Sequence, residues 1–144
     1  AVWQNDNESA HRGAYLVTGR RIALKEGLAE ITFDSGAVVT LQAPAVLVID
    51  GENAASLQNG QLTAVVGEEA RGFRVDTPLV PVVDLGTEFG VEIDEAQNVS
   101  VHVFRGSVAL ESSEVVAARC IIVSGQAATV SHGGGATISN LPEA

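Results

Sequence analysis

Residues 86–94 alternate with a period of two. Phe89, Val91 and Ile93 fall on one side, and Glu88, Glu92 and Asp94 on the other. That is the pattern of a strand with one face in a core and the other in water. Just before it, residues 80–85 are apolar at almost every position, which predicts a strand covered on both faces. Between the two runs lies Asp84-Leu85-Gly86-Thr87. Gly86 allows a bulge or sharp bend there that a residue with a Cβ resists.

The rest of the chain repeats the theme of short apolar segments set apart by glycine, at the spacings of all-β folds. Residues 21–25 alternate through Ile22 and Leu24, and residues 28–34 through Ala29, Ile31 and Phe33. Ser35-Gly36 turns the chain into residues 37–42. Pro44 predicts a bend or a sheet edge, since it cannot donate to a ladder. Residues 46–49 are apolar without alternation and predict burial on both faces. Asp50-Gly51 and Asn59-Gly60 read as hairpin turns, and Arg105-Gly106 plays a similar part. SLQNGQLTAV and HVFRGSVALE share an apolar-x-x-Gly-x-apolar shape, an internal echo too irregular for a strict repeat. Residues 112–119 have helical composition but read as a loop or a single turn. A glycine loop at 133–135 precedes a last short strand at 136–139.

Hydrophobic residues make up 46% of the 144, yet aromatics only 4%. The core is therefore filled by Val, Ala, Leu and Ile, which favours a pleated surface. Phe33, Phe73 and Phe89 are the aromatics that the pattern buries. The formal charge of −10 repels phosphate backbones and anionic membranes, so nucleic acid is excluded as the expected partner. A basic protein, a cation or a neutral polymer fits better. No apolar run reaches the ~18 residues needed to span a bilayer. The polar start reads as no secretory leader, and the absence of methionine makes the chain read as a segment of a longer protein or as a processed one.

Chemistry-bearing constellations are sparse. His11, His102 and His132 have no spacing that would place two of them on one metal, and His102 reads as a surface residue. Cys120, the one cysteine, lies beside Ile121, Ile122 and Val123 and reads as a buried small hydrophobe. Glu88, Glu92 and Asp94 share a face but lack the glycine-spaced loop of calcium sites, so a solvated acidic face is expected. Neither Asp76-Thr77-Pro78 nor Asp84-Leu85-Gly86-Thr87 has a glycine directly after an Asp-Thr pair, as an aspartic-protease turn does. The glycine run at 133–135 lacks a phosphate loop's lysine, and no serine sits in a nucleophile elbow. Asn7-Glu8-Ser9 and Asn98-Val99-Ser100 match a glycosylation sequon without further support. No catalytic residue, metal or cofactor is expected.

An ordered set of short motifs resembles the FecR-type extracytoplasmic domain. It comprises Gly72, Phe73, Val75, Thr77 and Pro78, then DLGTEFGV from Asp84 to Val91, then VFRGSV with Gly106. Upstream it extends through Leu16-Val17-Thr18-Gly19, the 29–33 and 35–37 segments and Ala43-Pro44-Ala45, and downstream through Ser124-Gly125-Gln126-Ala127. The resemblance implies a periplasmic sensing domain of a membrane-tethered sigma-factor regulator. It implies structural rather than catalytic roles for Gly72, Phe73, Thr77, Pro78, Asp84, Gly86, Thr87, Glu88, Phe89, Gly90 and Gly106.

The expected fold is all-β, a two-layer or loosely coiled, solenoid-like stack of short, mostly antiparallel strands. It comprises a lead-in over 1–14, one domain over 15–140 and a linker over 141–144. The expected function is non-catalytic signalling in the periplasm. Its partner would be an envelope protein, either a transporter's signalling domain or a neighbouring domain of the same chain, with no insertion into the membrane. A partner strand would add to a sheet edge, at Pro44 or along 136–139, unless the tails cover those edges. A cell-surface structural or carbohydrate-associated β module is the alternative.

Overall fold

The computed structural model describes residues 2–3, 19–111, 119–131 and 135–140. Expectations placed on Tyr15, His11 and the other residues of 4–18, on 112–118, on 132–134 and on the 141–144 linker lie outside them. Eleven strands among the described residues join in one sheet. They are β1 (Val2–Trp3), β2 (Arg21–Glu26), β3 (Leu28–Thr32), β4 (Val38–Gly51), β5 (Ala54–Val66) and β6 (Arg74–Asp76). After these come β7 (Pro81–Ile93), β8 (Val99–Leu110), β9 (Cys120–Val123), β10 (Gln126–Ser131) and β11 (Gly135–Asn140). The protein is all-β. Every pairing is antiparallel except β5 with β6.

Four strands, β4, β5, β7 and β8, run 12 to 14 residues. They are longer than the glycine spacing suggests, because the glycines bend them rather than end them. Each of the four changes a neighbour part-way along. β4 pairs with β3 through 38–42 and with β2 through 45–48. β5 pairs with β7 through 60–66 and with β6 through 54–56. β7 pairs with β5 through 87–93 and with β6 through 81–83. β8 pairs with β10 through 99–102 and with β9 through 107–110.

These exchanges sort the one sheet into two layers. The first is β3, the first half of β4, then the second halves of β5 and β7, then the first half of β8, β10 and β11. The second contains β1, β2 and the remaining halves of the four long strands, with β9 at its end. β6 stitches the second layer together, since it pairs with β5 on one side and β7 on the other. Each long strand thus crosses from one layer to the other at a crease.

Two creases do this. One crosses Gly27, Ala43-Pro44 and Gly60, where the Ala43 N–H donates to the Gly27 carbonyl at 3.0 Å. The other crosses Gly86, Gly106 and Gly125, where the Ser124 N–H donates to the Gly106 carbonyl at 3.0 Å. The β4–β5 ladder shifts register between Gln42 and Val46, and the β7–β8 ladder between Asp84 and Thr87. Gly60 and Gly106 both have positive φ, so the echo between SLQNGQLTAV and HVFRGSVALE is one glycine bend used twice.

The layers explain the burial. Ala29, Leu41, Leu62, Val91, Val101 and Ala128 face one another in register across six strands of the first layer, all of them buried. Ile22, Leu24, Leu47, Leu57, Val82, Val108, Leu110 and Ile122 are buried in the second layer and belong to the same core. With no α-helix among the described residues to cover either face, the sheet folded at its creases covers itself. Phe33 and Phe73 meet edge to face in this core, ring centroids 4.9 Å apart.

Several expectations are corrected by this arrangement. Asn59-Gly60 and Arg105-Gly106 lie inside β5 and β8 rather than in hairpin turns; their glycines admit a bulge, and pairing continues beyond it. Pro44 lies inside β4 at the partner exchange, so of its two expected placements the bend holds and the sheet edge does not. Residues 46–49 and 81–85 are not covered on both faces: Leu47, Ile49, Val82 and Asp84 point in, and their neighbours are half-buried on the outer face. Apolar outer residues hide this alternation in the sequence. The β4–β5 hairpin does turn after Asp50-Gly51, with Gly51 opposite Ala54.

The crease glycines are not equivalent. A Cβ on Gly106 would overlap the Gly86 carbonyl oxygen and stand 2.9 Å from Thr87 Cγ2, whereas one on Gly86 would meet nothing within 4 Å. Gly86→Ala should cost only the strain of its φ of +104°, roughly 1–3 kcal/mol. Gly106→Ala should cost more than ~4 kcal/mol, because backbone must move. Urea denaturation of both variants checks this; equal losses would show that the close approach does not constrain the fold.

Candidate functional site

The motif residues singled out in the sequence gather around the second crease and the turns feeding it. Gly72, at a φ of +93°, donates its N–H to the Asp84 carbonyl at 3.0 Å. Phe73 is fully buried, and its carbonyl accepts from the Asp84 N–H at 2.8 Å. Thr77 organises the turn from β6 into β7. Its hydroxyl donates to the Val80 carbonyl at 2.8 Å and accepts from the Val80 N–H at 3.0 Å. Pro78 follows inside that turn, where its fixed φ suits the bend.

Asp84 points into the core, a placement that the apolar run around it conceals. It is 0% exposed. Oδ2 accepts from the Gly86 N–H at 2.9 Å and so braces the bulge, but Oδ1 is buried with no hydrogen-bond partner. Thr87 is 2% exposed, and its Oγ1 likewise has none. Burial pushes the Asp84 carboxyl up from its ordinary 3.8 to about 6, with the Gly86 N–H and the Arg71 charge pulling the other way.

Glu88 is half-buried on the outer face, while Phe89 fills the core. Gly90 is buried rather than open on the acidic face. The Phe104 ring lies across it, and a Cβ there would stand 3.5 Å from Phe104 Cε2. Phe104 itself is 53% exposed. Nothing in the periodicity distinguished it from its neighbours.

Each crease also opens a pocket on the surface. At the first, Gln42, Pro44, Asn59, Gln61, Glu92, Asp94 and Glu95 are among the residues around a cavity of about 450 Å³. No Lys or Arg lines it. Asp94 is occupied within the chain, accepting from the Asn98 N–H at 2.9 Å and from its side-chain amide at 3.3 Å. Of the expected acidic face, Glu92 and Asp94 are exposed here, whereas Glu88 lies at the other end of β7. At the second crease, Val66, Gly67, Glu68, Arg71, Leu85, Gly86, Thr87 and Arg105 line about 340 Å³.

No group of three His, Cys, Asp or Glu side chains among the described residues is placed to hold a metal ion. His102 is half-buried on the outer face, and Cys120 packs partly buried against the core. No helix among the described residues is long and apolar enough to cross a membrane.

The family model described as FecR protein matches residues 16–109, more than half of the chain. The chain belongs to the FecR family. No protein with a curated description matches it. Two crystal structures of a protein from Parabacteroides distasonis, described as a putative anti-sigma factor, share its fold with a TM-score of 0.69. In both, sequence identity is 21% over 85% of this chain. The FecR-family chain corresponds to 60% of the length of those structures.

The buried carboxyl makes a pH prediction. Asp84 holds its proton to higher pH in the folded state than in the unfolded one. Its contribution to stability is therefore full below about 3.8 and lost as pH rises through about 6. Asp84→Asn should abolish that loss and gain on its parent by on the order of 2–3 kcal/mol between about pH 4 and pH 7.5. Urea midpoints across that range check it, and parallel pH profiles would refute it.

Proposed function

We propose that this chain is the extracytoplasmic sensing domain of a membrane-tethered regulator of an alternative sigma factor, acting in the periplasm by contact with another protein rather than by catalysis. The observation that carries this reading is the FecR match over residues 16–109. The fold shared with a putative anti-sigma factor supports it. The motif residues fit structural work: Gly72, Gly86 and Gly106 supply positive φ at turns and creases, and Thr77 ties a turn. One domain covers 15–140 in this reading, flanked by a lead-in and a linker.

The contact surface follows from the sheet. β1 covers the outer side of β2, so that end of the second layer is occupied by the chain's own start. β11 pairs only with β10 among the described residues, and its outward N–H and C=O groups stand ready for a further strand. A strand added there gains main-chain hydrogen bonds without a deep pocket. The charge of −10 steers a basic segment towards it.

Fusing alkaline phosphatase after residue 144 in the native gene should give an active enzyme, since that reporter works outside the cytoplasm. Deleting codons 19–131 should uncouple transcription by the cognate sigma factor from its stimulus. A reporter active only in the cytoplasm, or an unchanged response in the deletion strain, overturns the proposal.

A further inference from the structure

The second-crease pocket is cationic in a chain that is otherwise strongly acidic. The molecule has 8 Lys and Arg against 18 Asp and Glu. Arg74 and Arg119 are spent on ion pairs with Asp76 at 2.7 Å and Glu111 at 3.0 Å. Arg71 and Arg105 make no such pair among the described residues, and both line this one pocket. They arrive there from different parts of the chain. Arg71 follows the 3₁₀ turn Glu68–Ala70, and Arg105 stands at the β8 bulge opposite Glu88. Thr87 also lines this wall, although its hydroxyl is buried on the inward side of β7 and does not open to the pocket.

We propose that Arg71 and Arg105 form a binding site for a carboxylate, in the pocket that the Gly86 bend opens. Guanidinium groups match the planar, bidentate geometry of a carboxylate, and charge-assisted hydrogen bonds are the strong ones. The cavity of about 340 Å³ admits a small dicarboxylate or one acidic side chain of a protein segment. Glu68, also in the wall, opposes the ligand and keeps affinity modest. The site rests on the geometry of the crease and not on the regulatory reading, because a carboxylate binds the isolated chain whatever that chain regulates.

Heteronuclear NMR on the 144-residue chain tests it, with succinate titrated at constant ionic strength against sodium chloride. Saturable shifts are expected at the Gly86 and Thr87 amides and at the Arg71 and Arg105 Nε–H groups. Arg105→Gln and Arg71→Gln should each weaken binding by ~10-fold or more, and Glu68→Gln should strengthen it. All three residues are surface substitutions, and unchanged amide spectra elsewhere confirm that each variant is folded. A glutamate-rich peptide that displaces succinate assigns the site to a partner's side chain, whereas succinate binding without such competition assigns it to a free metabolite. Linear shifts equal to those given by chloride, or binding unaltered in both arginine variants, would overturn the proposal.

Discussion

A sheet with one apolar face and, among the described residues, no α-helix to lay against it has only itself for a cover. Everything else in this protein follows from how the sheet is made to turn back. Four strands carry the fold from one layer to the other, and each needs a place where its ladder can bend without losing its neighbours. At the first crease, Gly60 clears room for the Pro44 carbonyl and Ala45, and a Cβ there would overlap both. At the second, Gly106 clears room for the Gly86 carbonyl. The bends are therefore contacts between backbones, which only glycine permits at this distance.

Between the creases the core can be built from small aliphatic side chains. Two layers brought together by shared strands are already in register, so their inner faces interlock without large aromatics to fill gaps. Among the described residues, Phe33, Phe73 and Phe89 are the buried exceptions. Phe33 and Phe73 meet each other, where the end of β3 comes against the chain entering β6. β6 is short, three residues, yet it is the strand that joins the two halves of the second layer. The Gly72 and Thr77 turns on either side of it fix its length, which is why the motif residues cluster around so small an element.

Much of this was legible in the sequence. Phe89, Val91 and Ile93 announced an inward face, as did Ala29, Ile31 and Phe33, and the all-β class followed from their spacing. The resemblance named the family. What the sequence did not distinguish was a glycine that ends a strand from one that bends it. Asn59-Gly60 has the chemistry of a hairpin turn, and only its tertiary partner, Pro44, makes it a crease. The same blindness applied to residues 46–49 and 81–85. When the outer face is itself half-covered by apolar residues, a period of two is not visible, and Asp84 was hidden among valines for that reason. Arg71 and Arg105 left no local signal at all, since nothing in either neighbourhood points to the other.

The creases also explain where polarity and concavity coincide. Along an uninterrupted ladder, every backbone group is paired. Where the ladder breaks, side chains must take over the pairing, and they do so incompletely. Asp84 Oδ2 satisfies the Gly86 N–H, while Asp84 Oδ1 and Thr87 Oγ1 are left over. The same break parts the strands enough to leave a cavity. A fold of this kind therefore has little freedom over where it places recognition chemistry. Its walls are committed to covering the core, and its bends are the places where the ladder opens into surface pockets.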